Sequence, residues 1–295
     1  MKGSAIGVLV HPRRDSHDLV EIIVEWAAGH GKTVRGMHEA RDLLPRSVVT
    51  VPDEELGGDD TALIIAAGGD GTILRGLKLA HPYGIPVLGV NLGRLAFLAE
   101  VQYHDLAASL DAIDRDEYRL EQRTTMNVSC EEVDGLPRTV FNDAALTRVA
   151  GHGPAALAVE VDGDVFGRYT ADALVIATPT GSTGYSFSAG GPIVSPRHTG
   201  LLVTPVAPHA AFDRAVFLHP EETLRVQVLE RSAPLLLEAD GQRAAALFAG
   251  HTIEFRVGDR PAQILRLHGH GFYERARRKL QIVDSSELAP PAHPV

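Results

Sequence analysis

The sequence contains a single cysteine, Cys130, and this scarcity excludes several kinds of structure. One cysteine cannot form an internal disulfide or supply a multi-cysteine metal cluster, and we expect it to be a small buried hydrophobe. The sequence also lacks the phosphate loop G-x-x-x-x-G-K-[ST], and no G-x-G-x-x-G follows its first apolar run. Neither a P-loop kinase nor an ordinary nicotinamide-dependent dehydrogenase is therefore indicated.

Positive charge is also scarce. The 28 Lys and Arg residues are outnumbered by 38 Asp and Glu residues, which gives a net charge of −10 and a pI near 5.8. A nucleic-acid-binding protein needs a basic face to displace counterions from the phosphate backbone, so we expect no nucleic-acid partner. The basic residues at positions 275–279 are more typical of a solvated helix face near the carboxyl end of a helix.

No long hydrophobic run occurs near the amino terminus. Lys2 is followed by the short apolar stretch Ala5–Val10, and polar residues begin at His11. This stretch is too short for the core of a signal peptide and for a membrane span. We therefore expect a cytoplasmic protein with no membrane partner.

The 14 histidines raise the question of a metal site. The zinc-binding motif H-E-x-x-H does not occur in the sequence. The pair His268 and His270 has no carboxylate ligand nearby in the sequence. We therefore predict no metal site built from protein side chains alone.

The sequence does contain a change of pattern near residue 115. The length of 295 residues, 44% of them hydrophobic, suits two domains. In the first part, strand and helix patterns alternate, as in a parallel sheet with crossover helices. The predicted strands there are Ala5–Val10, Thr33–Met37, Leu63–Ala67 and Pro86–Val90. In the second part, segments of period two are separated by turn dipeptides such as Asp162-Gly163 and Asp240-Gly241.

These patterns predict an N-terminal Rossmann-like parallel α/β domain and a C-terminal β-sandwich-like domain. We place the first domain at residues 1–115 and the β-rich domain at residues 116–268. A C-terminal helix at residues 269–284 is expected to return to the first domain, and residues 285–295, rich in Pro and Ala, to form a flexible tail.

The segment Gly68–Thr72, with the sequence Gly-Gly-Asp-Gly-Thr, joins the run Leu63–Ala67 to a helical pattern. Ligands of open α/β sheets bind at the carboxyl ends of the strands, and a helix amino end presents free N–H groups to phosphate. The segment therefore predicts a phosphate site. A carboxylate about 4 Å from a phosphate costs roughly 4 kcal/mol at an effective dielectric near 20, so Asp70 needs a compensating role. It can accept a hydrogen bond from a hydroxyl about to be phosphorylated, help to hold Mg²⁺ beside the phosphates, or cap the following helix.

A second dense segment, Thr178–Pro192, follows the apolar strand pattern Ala173–Ala177. Its small and hydroxylic residues allow the backbone to approach a ligand closely and supply many hydrogen-bonding groups. It also contains the aromatic side chain of Tyr185. A long run of small residues directly after a buried strand favours a ligand-binding loop over an ordinary surface loop.

Together these segments resemble the NAD kinase family, whose members phosphorylate the adenosine 2′-hydroxyl of NAD to give NADP. The resemblance covers residues 5–282, and its motifs follow the family's order. They are Gly68–Thr72, Asn91-Leu92-Gly93 with Phe97-Leu98, Asn142-Asp143, Thr178–Pro192, Pro208-His209 and Asp240-Gly241-Gln242. The glycine-aspartate loop is shared with diacylglycerol-type lipid kinases and, in similar form, with phosphofructokinases. The segment Thr178–Pro192 is the specific element.

The resemblance implies that Asp70 accepts the proton of the 2′-hydroxyl. It also implies that the phosphates of ATP lie over Gly68, Gly69, Gly71 and Thr72, with Mg²⁺ or another divalent cation bound with the nucleotide. Positions implied to bind NAD are Asp70, Gly71, Arg75, Asn142, Asp143, Thr170, Asp172, Thr183, Gly184, Tyr185, Ser186, Phe187, Ser188 and Gln242.

Some of these positions have purely structural alternatives. Asn142 and Asp143 are also compatible with a turn at a strand end, Asp172 with a surface acid, and Arg75 with a solvated helix residue. Asp240-Gly241 is a good hairpin corner in any case, which leaves Gln242 as the functional residue of that motif.

Three positions depart from the common family pattern. Asp143 stands where Glu is usual, Ala96 where Gly is usual, and Gly184 where Ala is usual. The first change retracts a carboxylate by one methylene, which can alter its hold on a ribose hydroxyl. The other two affect loop packing more than chemistry.

Two other functions remain as alternatives from the sequence. A lipid or small-alcohol kinase would need an apolar pocket or a membrane-facing patch, which the polar residues 178–188 do not indicate. A silent dinucleotide-binding regulator would be expected to have lost Asp70. The sequence leaves open whether the donor is ATP alone or also inorganic polyphosphate. The resemblance implies a homo-oligomer, a dimer or a tetramer.

Overall fold

The computed structural model describes residues 3–58, 60–93, 96–136, 138–210, 212–267 and 271–282. The chain forms two compact units. Unit 1 comprises residues 1–121 and 263–295, and unit 2 comprises residues 122–262. These limits lie close to the predicted boundaries at 115/116 and 268/269. The predicted tail at 285–295 and the histidines 268 and 270 lie outside the described residues.

Helices and strands are numbered here in chain order. The helices are α1 (His17–Gly29), α2 (Asp53–Leu56), α3 (Asp70–Ala80), α4 (Leu106–Asp114), α5 (Tyr185–Ser188) and α6 (Phe272–Lys279). The first ten strands are β1 (Ala5–Val10), β2 (Thr33–Met37), β3 (Val49–Val51), β4 (Thr61–Gly68), β5 (Val87–Asn91), β6 (Val101–Gln102), β7 (Arg119–Arg123), β8 (Met126–Cys130), β9 (Thr139–Val140) and β10 (Asp143–Arg148). The others are β11 (Ala155–Val161), β12 (Asp164–Ala171), β13 (Ala173–Ala177), β14 (Leu201–Val206), β15 (Val216–Leu218), β16 (Leu224–Val228), β17 (Leu235–Ala239), β18 (Gln242–Leu247), β19 (Thr252–Val257) and β20 (Ala262–Arg266).

Unit 1 is built on one sheet with the strand order β3-β2-β1-β4-β5-β20-β7, and β6 pairs with β5. β1 is parallel to β2 and β4, and β4 is parallel to β5. Every residue of β4 is buried, which explains its uninterrupted apolar sequence, because helices cover both faces of parallel sheets. The chain leaves β4 at Gly68 and enters α3 at Asp70, so the predicted loop lies at the carboxyl end of a central strand.

β20 differs from the sequence prediction, which placed residues up to 268 in the β-rich domain. Ile264 of β20 pairs in parallel with Val87 of β5, so the chain returns to the first sheet before α6. The sequence Ala-Gln-Ile-Leu-Arg carries no signal that separates this strand from the antiparallel strands before it. The predicted return of the C-terminal helix to the first domain is confirmed, because α6 belongs to unit 1.

Unit 2 consists of two antiparallel sheets with a shared core, which confirms the predicted β-sandwich-like domain. Their strand orders are β15-β14-β13-β10-β17-β18 and β12-β11-β16-β19-β8-β9. Leu174 and Ile176 of one sheet belong to the same apolar cluster as Leu157 and Val226 of the other. The predicted corner Asp240-Gly241 joins β17 to β18 with φ angles of 49° and 73°, which suits a type I′ hairpin turn.

None of the described helices is long and apolar enough to cross a membrane.

Candidate active site

The three glycines of the loop after β4 have different structural roles. A Cβ on Gly68 would lie 2.3 Å from Oγ1 of Thr72, so only glycine lets the strand end pack against the first turn of α3. A Cβ on Gly69 or Gly71 would meet no atom within 4 Å. These two glycines face open space, where their small size leaves room for a ligand against the backbone. The backbone of Gly69 is extended, with φ −93° and ψ −173°.

This open space is part of a cavity of about 370 Å³ in unit 1. Its lining includes Gly69, Gly71 and Thr72 on one side and His11 and Arg14 on the other. The amino end of α3 opens into the cavity, where unpaired backbone N–H groups suit an anion. The phosphate-binding role predicted for the loop therefore has both space and donors.

The carboxylate of Asp70 makes two contacts. Oδ1 accepts a hydrogen bond from the backbone N–H of Leu98 at 2.8 Å, and Oδ2 lies 2.5 Å from Nζ of Lys279. Asp70 does not cap α3, because the residue at the cap position is Gly69 and no side-chain cap bond is present there. The helix-cap alternative is thus not what the structure contains. The Asp70 side chain is 29% exposed and remains accessible to a ligand.

The motif residues Phe97 and Leu98 contact the two members of this ion pair. Leu98 orients the carboxylate of Asp70, and the ammonium of Lys279 lies 4.4 Å from the centre of the Phe97 ring. The Phe97 ring in turn lies against Phe272 at the start of α6, with ring centres 6.5 Å apart. Aromatic rings attract cations through their electron-rich faces, so Phe97 helps to hold Lys279 beside Asp70.

The basic segment at 275–279 corrects the simple prediction of a solvated helix face. Arg278 fits that prediction, because it is exposed and pairs with Glu274. Arg275 is buried and lies 3.5 Å from Glu100, and burial together with the charge of Arg266 lowers its pKa. Lys279 contacts Asp70. The sequence spacing could not separate these cases, because the partners of Arg275 and Lys279 lie far away in the chain.

A buried arginine, Arg266, supports the Leu98 segment and was missed by the sequence analysis. Its Nη1 donates to the carbonyl oxygen of Leu98 and to Oε2 of Glu100, both at 3.0 Å. Its Nε donates to Oε1 of Glu121 at 3.1 Å. The side chain of Arg266 is 1% exposed, so these bonds replace water at Nη1 and Nε, while the buried Nη2 has no hydrogen-bond partner among the described residues. Asp70 therefore has a rigid neighbour in Leu98.

Arg75, on α3, forms ion pairs with Glu39 and with Asp53, the latter at 2.8 Å. The hydrogen bond to Glu39 is the main cause that raises the pKa of Arg75. The residue lines the cavity beside Gly71 and Thr72. A contact between Arg75 and substrate remains a prediction.

In unit 2, the pair Asn142-Asp143 is held in place by Asp240. Oδ1 of Asp240 accepts the backbone N–H groups of Asn142 at 2.7 Å and of Phe141 at 3.1 Å. The backbone N–H of Thr178 donates to the carbonyl oxygen of Asn142 at 2.9 Å. Asp240 was predicted to be only a hairpin corner. Its carboxylate in addition holds Asn142, and the backbone of Asn142 in turn binds Thr178, so the three motifs are connected.

Asp143 is a mostly buried carboxyl group with acidic neighbours. Burial is the largest cause that raises its pKa to about 6, followed by the charges of Asp240 and, more weakly, Glu238. A hydrogen bond from the backbone of Tyr185 opposes this shift. A Cβ on Gly184 would lie 3.2 Å from Oδ2 of Asp143. Asp143 and Gly184, two of the three departures from the family pattern, are therefore neighbours, and the alanine usual at position 184 would crowd the Asp143 carboxylate.

The segment Thr178–Pro192 folds into a short 3₁₀ helix at Gly181–Thr183 and then α5. The hydroxyl of Ser186 is buried against Oγ1 of Thr204 at 2.8 Å, and Oγ of Ser182 donates to the carbonyl oxygen of Pro179 at 2.7 Å. Both hydroxyls are hydrogen-bonded to other protein atoms. A contact between Ser186 and a ligand would therefore have to come from the backbone of Ser186. Exposed or half-buried positions, available to a ligand, are Thr183, Gly184, Tyr185, Phe187 and Ser188.

Three further predicted positions also lie in unit 2. Thr170, on β12, is half-buried, and its carbonyl oxygen accepts the N–H of His209 at 2.7 Å. The exposed carboxylate of Asp172 pairs with Arg148 at 2.5 Å. Gln242 is exposed at the first position of β18. Their roles toward substrate stay predictions.

Comparisons with known proteins agree with this arrangement of motifs. A family model described as ATP-NAD kinase N-terminal domain matches residues 6–118, and one described as ATP-NAD kinase C-terminal domain matches residues 141–267. The chain is 33% identical to NAD kinase 1 of Streptomyces avermitilis, over 97% of this chain and 89% of the relative.

Two solved structures are similar over most of the chain. The crystal structure of yeast NADH kinase complexed with NADH has a TM-score of 0.83 at 24% identity, over 97% of this chain and 89% of that chain. This likeness concerns the fold. An NAD kinase from Archaeoglobus fulgidus in complex with ATP has a TM-score of 0.72 at 25% identity, over 95% of this chain and all of that chain.

Proposed function

This chain belongs to the NAD kinase family, and we propose that Asp70 accepts the proton of the adenosine 2′-hydroxyl while the terminal phosphoryl group of ATP is transferred to NAD. Its activity is that of an NAD kinase with ATP as the donor. The observation that carries the assignment is the position of Asp70, an accessible carboxylate at the carboxyl end of β4 with one oxygen fixed by Leu98.

The carboxylate is well suited to this step. The N–H of Leu98 occupies Oδ1, so Oδ2 is the oxygen that takes the proton as the 2′-oxygen attacks phosphorus. Proton removal by a positioned side chain contributes typically ~10²–10⁴-fold to the rate. Phosphoryl transfer otherwise depends on positioning and charge stabilisation, which the backbone N–H groups of Gly69 and Gly71 supply to the donor phosphates.

We further propose that Mg²⁺ or another divalent cation enters with ATP. Among the described residues, no three His, Cys, Asp or Glu side chains come together as a metal-ligand group. Mg²⁺ in kinases is usually held by substrate phosphates, waters and one or two carboxylates, and Asp70 is the carboxylate at the loop. When bound, the ion neutralises charge on the phosphates.

We assign most of the NAD contacts to unit 2. Asn142 and Asp143, fixed by Asp240, offer an amide and a carboxyl group to the adenosine portion. Tyr185 and Phe187 are each 39% exposed and offer aromatic surfaces to the same ligand. The other positions proposed for contact with NAD are Gly71, Arg75, Thr170, Asp172, Thr183, Gly184, Ser186, Ser188 and Gln242.

We also propose a homo-oligomer, a dimer or a tetramer, that acts in the cytoplasm. β12 is an edge strand of its sheet and carries Val165 and Phe166, which are 56% and 48% exposed. The ring of Phe166 lies 5.7 Å from that of Phe212, which is 45% exposed. Exposed aromatic residues on an edge strand are typical of a surface that another copy covers. Light scattering measures the molar mass of the assembly in solution. We expect a smaller molar mass for Phe166→Glu than for the wild type, because a charge on this surface would separate the copies.

The function is tested by incubating the purified protein with NAD, ATP and Mg²⁺ and detecting NADP with an NADP-specific dehydrogenase. NADP should form only when all three are present. Parallel reactions with inorganic polyphosphate and with NADH determine which donors and redox forms are accepted. Absence of NADP in every reaction, from protein with the expected fold, would contradict the proposal.

A further inference from the structure

We propose that Lys279 binds the transferring phosphoryl group, an inference that rests on the assignment of Asp70 as the proton acceptor. The two residues are 209 positions apart in the chain, yet Nζ of Lys279 lies 2.5 Å from Oδ2 of Asp70. Oδ2 is the oxygen that Leu98 leaves available. The ammonium therefore lies directly beside the oxygen that the attacking hydroxyl must reach.

Distances around Oδ2 explain why the ammonium would meet phosphate. A hydroxyl that gives its proton to Oδ2 lies about 2.6–3.2 Å from it, and the phosphorus under attack lies about 3–3.5 Å beyond the hydroxyl oxygen. Oδ2 can accept two hydrogen bonds, so the ammonium stays beside it or moves a short way toward the phosphoryl group when the hydroxyl binds. The oxygens of that phosphoryl group would then lie within reach of the ammonium, whose three N–H groups can bond Oδ2 and phosphate at the same time.

The surroundings of Lys279 allow this short movement while keeping the charge in place. The side chain is 32% exposed, so its end is not enclosed. The Phe97 ring, 4.4 Å from Nζ, attracts the cation without offering a hydrogen-bond acceptor that would fix it. Phe97 itself is buried and fixed against Phe272.

Other cations near the loop have different partners. Arg75 forms ion pairs with Glu39 and Asp53, and Nη1 of Arg14 donates to the carbonyl oxygen of Leu92 at 2.7 Å. The loop itself lacks the lysine that a P-loop brings to the donor phosphates. Lys279 supplies a positive charge directly beside the proton acceptor.

The transfer step forms one bond, breaks one bond and moves one proton, and Lys279 takes part in none of these changes. The bond between the 2′-oxygen and the terminal phosphorus forms as the bond from that phosphorus to the leaving oxygen of ADP breaks. The hydroxyl proton goes to Oδ2 of Asp70. Lys279 stays protonated and donates hydrogen bonds to the phosphoryl oxygens, where negative charge must be stabilised during transfer.

The test compares Lys279→Gln, Lys279→Arg and the control Arg278→Gln, which removes the same charge from the neighbouring exposed position. With saturating NAD and ATP, Lys279→Gln should lower kcat about 100-fold, with the KM for NAD within about threefold of the wild-type value. The kcat of Lys279→Arg should be at least about tenfold higher than that of Lys279→Gln. The kcat of Arg278→Gln should equal that of the wild type. Thermal unfolding of each variant verifies that it is folded.

Wild-type kcat in Lys279→Gln would overturn the inference. So would equal losses in Lys279→Gln and Lys279→Arg, because a charge on the phosphoryl group would then be irrelevant. Both outcomes leave the proposed function intact if the wild type makes NADP and Asp70→Asn does not. Failure of the wild type to make NADP would instead contradict the proposed function.

Discussion

The backbone N–H of Leu98 donates a hydrogen bond of 2.8 Å to Oδ1 of Asp70. The carbonyl oxygen of the same Leu98 accepts a bond of 3.0 Å from the buried guanidinium of Arg266. One residue thus connects the proposed proton acceptor to an arginine on β20. The orientation of Asp70 depends on the buried ion pairs of Arg266 as well as on the glycine loop.

Replacing Arg266 by Met should destabilise the protein by about 3–5 kcal/mol, because its buried ion pairs with Glu100 and Glu121 and its hydrogen bond to the carbonyl oxygen of Leu98 would be lost together. The free energy of unfolding in urea, followed by circular dichroism, measures this loss. The control Arg225→Met removes exposed pairs to Glu160 and Glu254 and should cost about 1 kcal/mol or less. Equal losses in the two variants would show that Arg266 has no special structural role.

Replacing Gly71 by Ala should separate stability from activity. The added methyl group meets no protein atom, and within α3 it should stabilise the chain by about 0.5–1 kcal/mol. It also projects into the space assigned to the donor phosphates, so kcat/KM for ATP should fall at least about tenfold. The control Gly29→Ala, at the end of α1 and also without a steric conflict, should leave activity unchanged. Unchanged kcat/KM for ATP in Gly71→Ala would argue against phosphates at this loop.

Replacing Asp143 by Asn should stabilise the protein at pH 7.5. The pKa of Asp143 is raised from 3.8 to about 6, so the folded protein binds this proton more tightly than the unfolded chain does. Its stability contribution is therefore lost as pH rises from about 4 to about 6. Asn carries no titrating group, so the variant does not lose this stability as pH rises. At pH 7.5 its free energy of unfolding should exceed that of the wild type by at most about 3 kcal/mol, at about 1.4 kcal/mol for each pKa unit.

Urea unfolding of wild type and Asp143→Asn at pH 4 and at pH 7.5 measures this effect. The difference between the two proteins should be larger at pH 7.5. A difference that does not change with pH would mean that the carboxyl group of Asp143 titrates in the folded protein as it does in the unfolded chain.

Local sequence patterns predicted the fold well. The strands Ala5–Val10, Thr33–Met37 and Ala173–Ala177 have the predicted bounds, because their apolar periodicity is a property of each segment alone. The loop Gly68–Thr72 was likewise placed correctly between a strand and a helix. β20 was not, because its parallel partner β5 lies far away in the chain, and a short apolar strand does not reveal its partner.

In the candidate site, too, local motifs could be predicted from the sequence and contacts between distant residues could not. Motifs such as Asn142-Asp143 could be identified by resemblance, but the residues that hold them could not. Asp240 is 98 positions from Asn142, and Lys279 is 209 positions from Asp70. Such contacts follow from the tertiary fold, and neither spacing nor residue type indicates them in a single sequence. The raised pKa of Asp143 depends first on burial and then on the charges of distant Asp240 and Glu238, and these too follow from the tertiary fold.

The most direct test of the account is the turnover of Asp70→Asn beside the control Asp60→Asn, which alters an exposed carboxylate paired with Arg35. NADP formation is followed at saturating ATP, NAD and Mg²⁺, and NAD binding is measured by calorimetry. The account predicts that Asp70→Asn lowers kcat at least about 100-fold while NAD still binds, and that Asp60→Asn keeps wild-type turnover. Near wild-type turnover in Asp70→Asn would contradict the assignment of Asp70 as the proton acceptor.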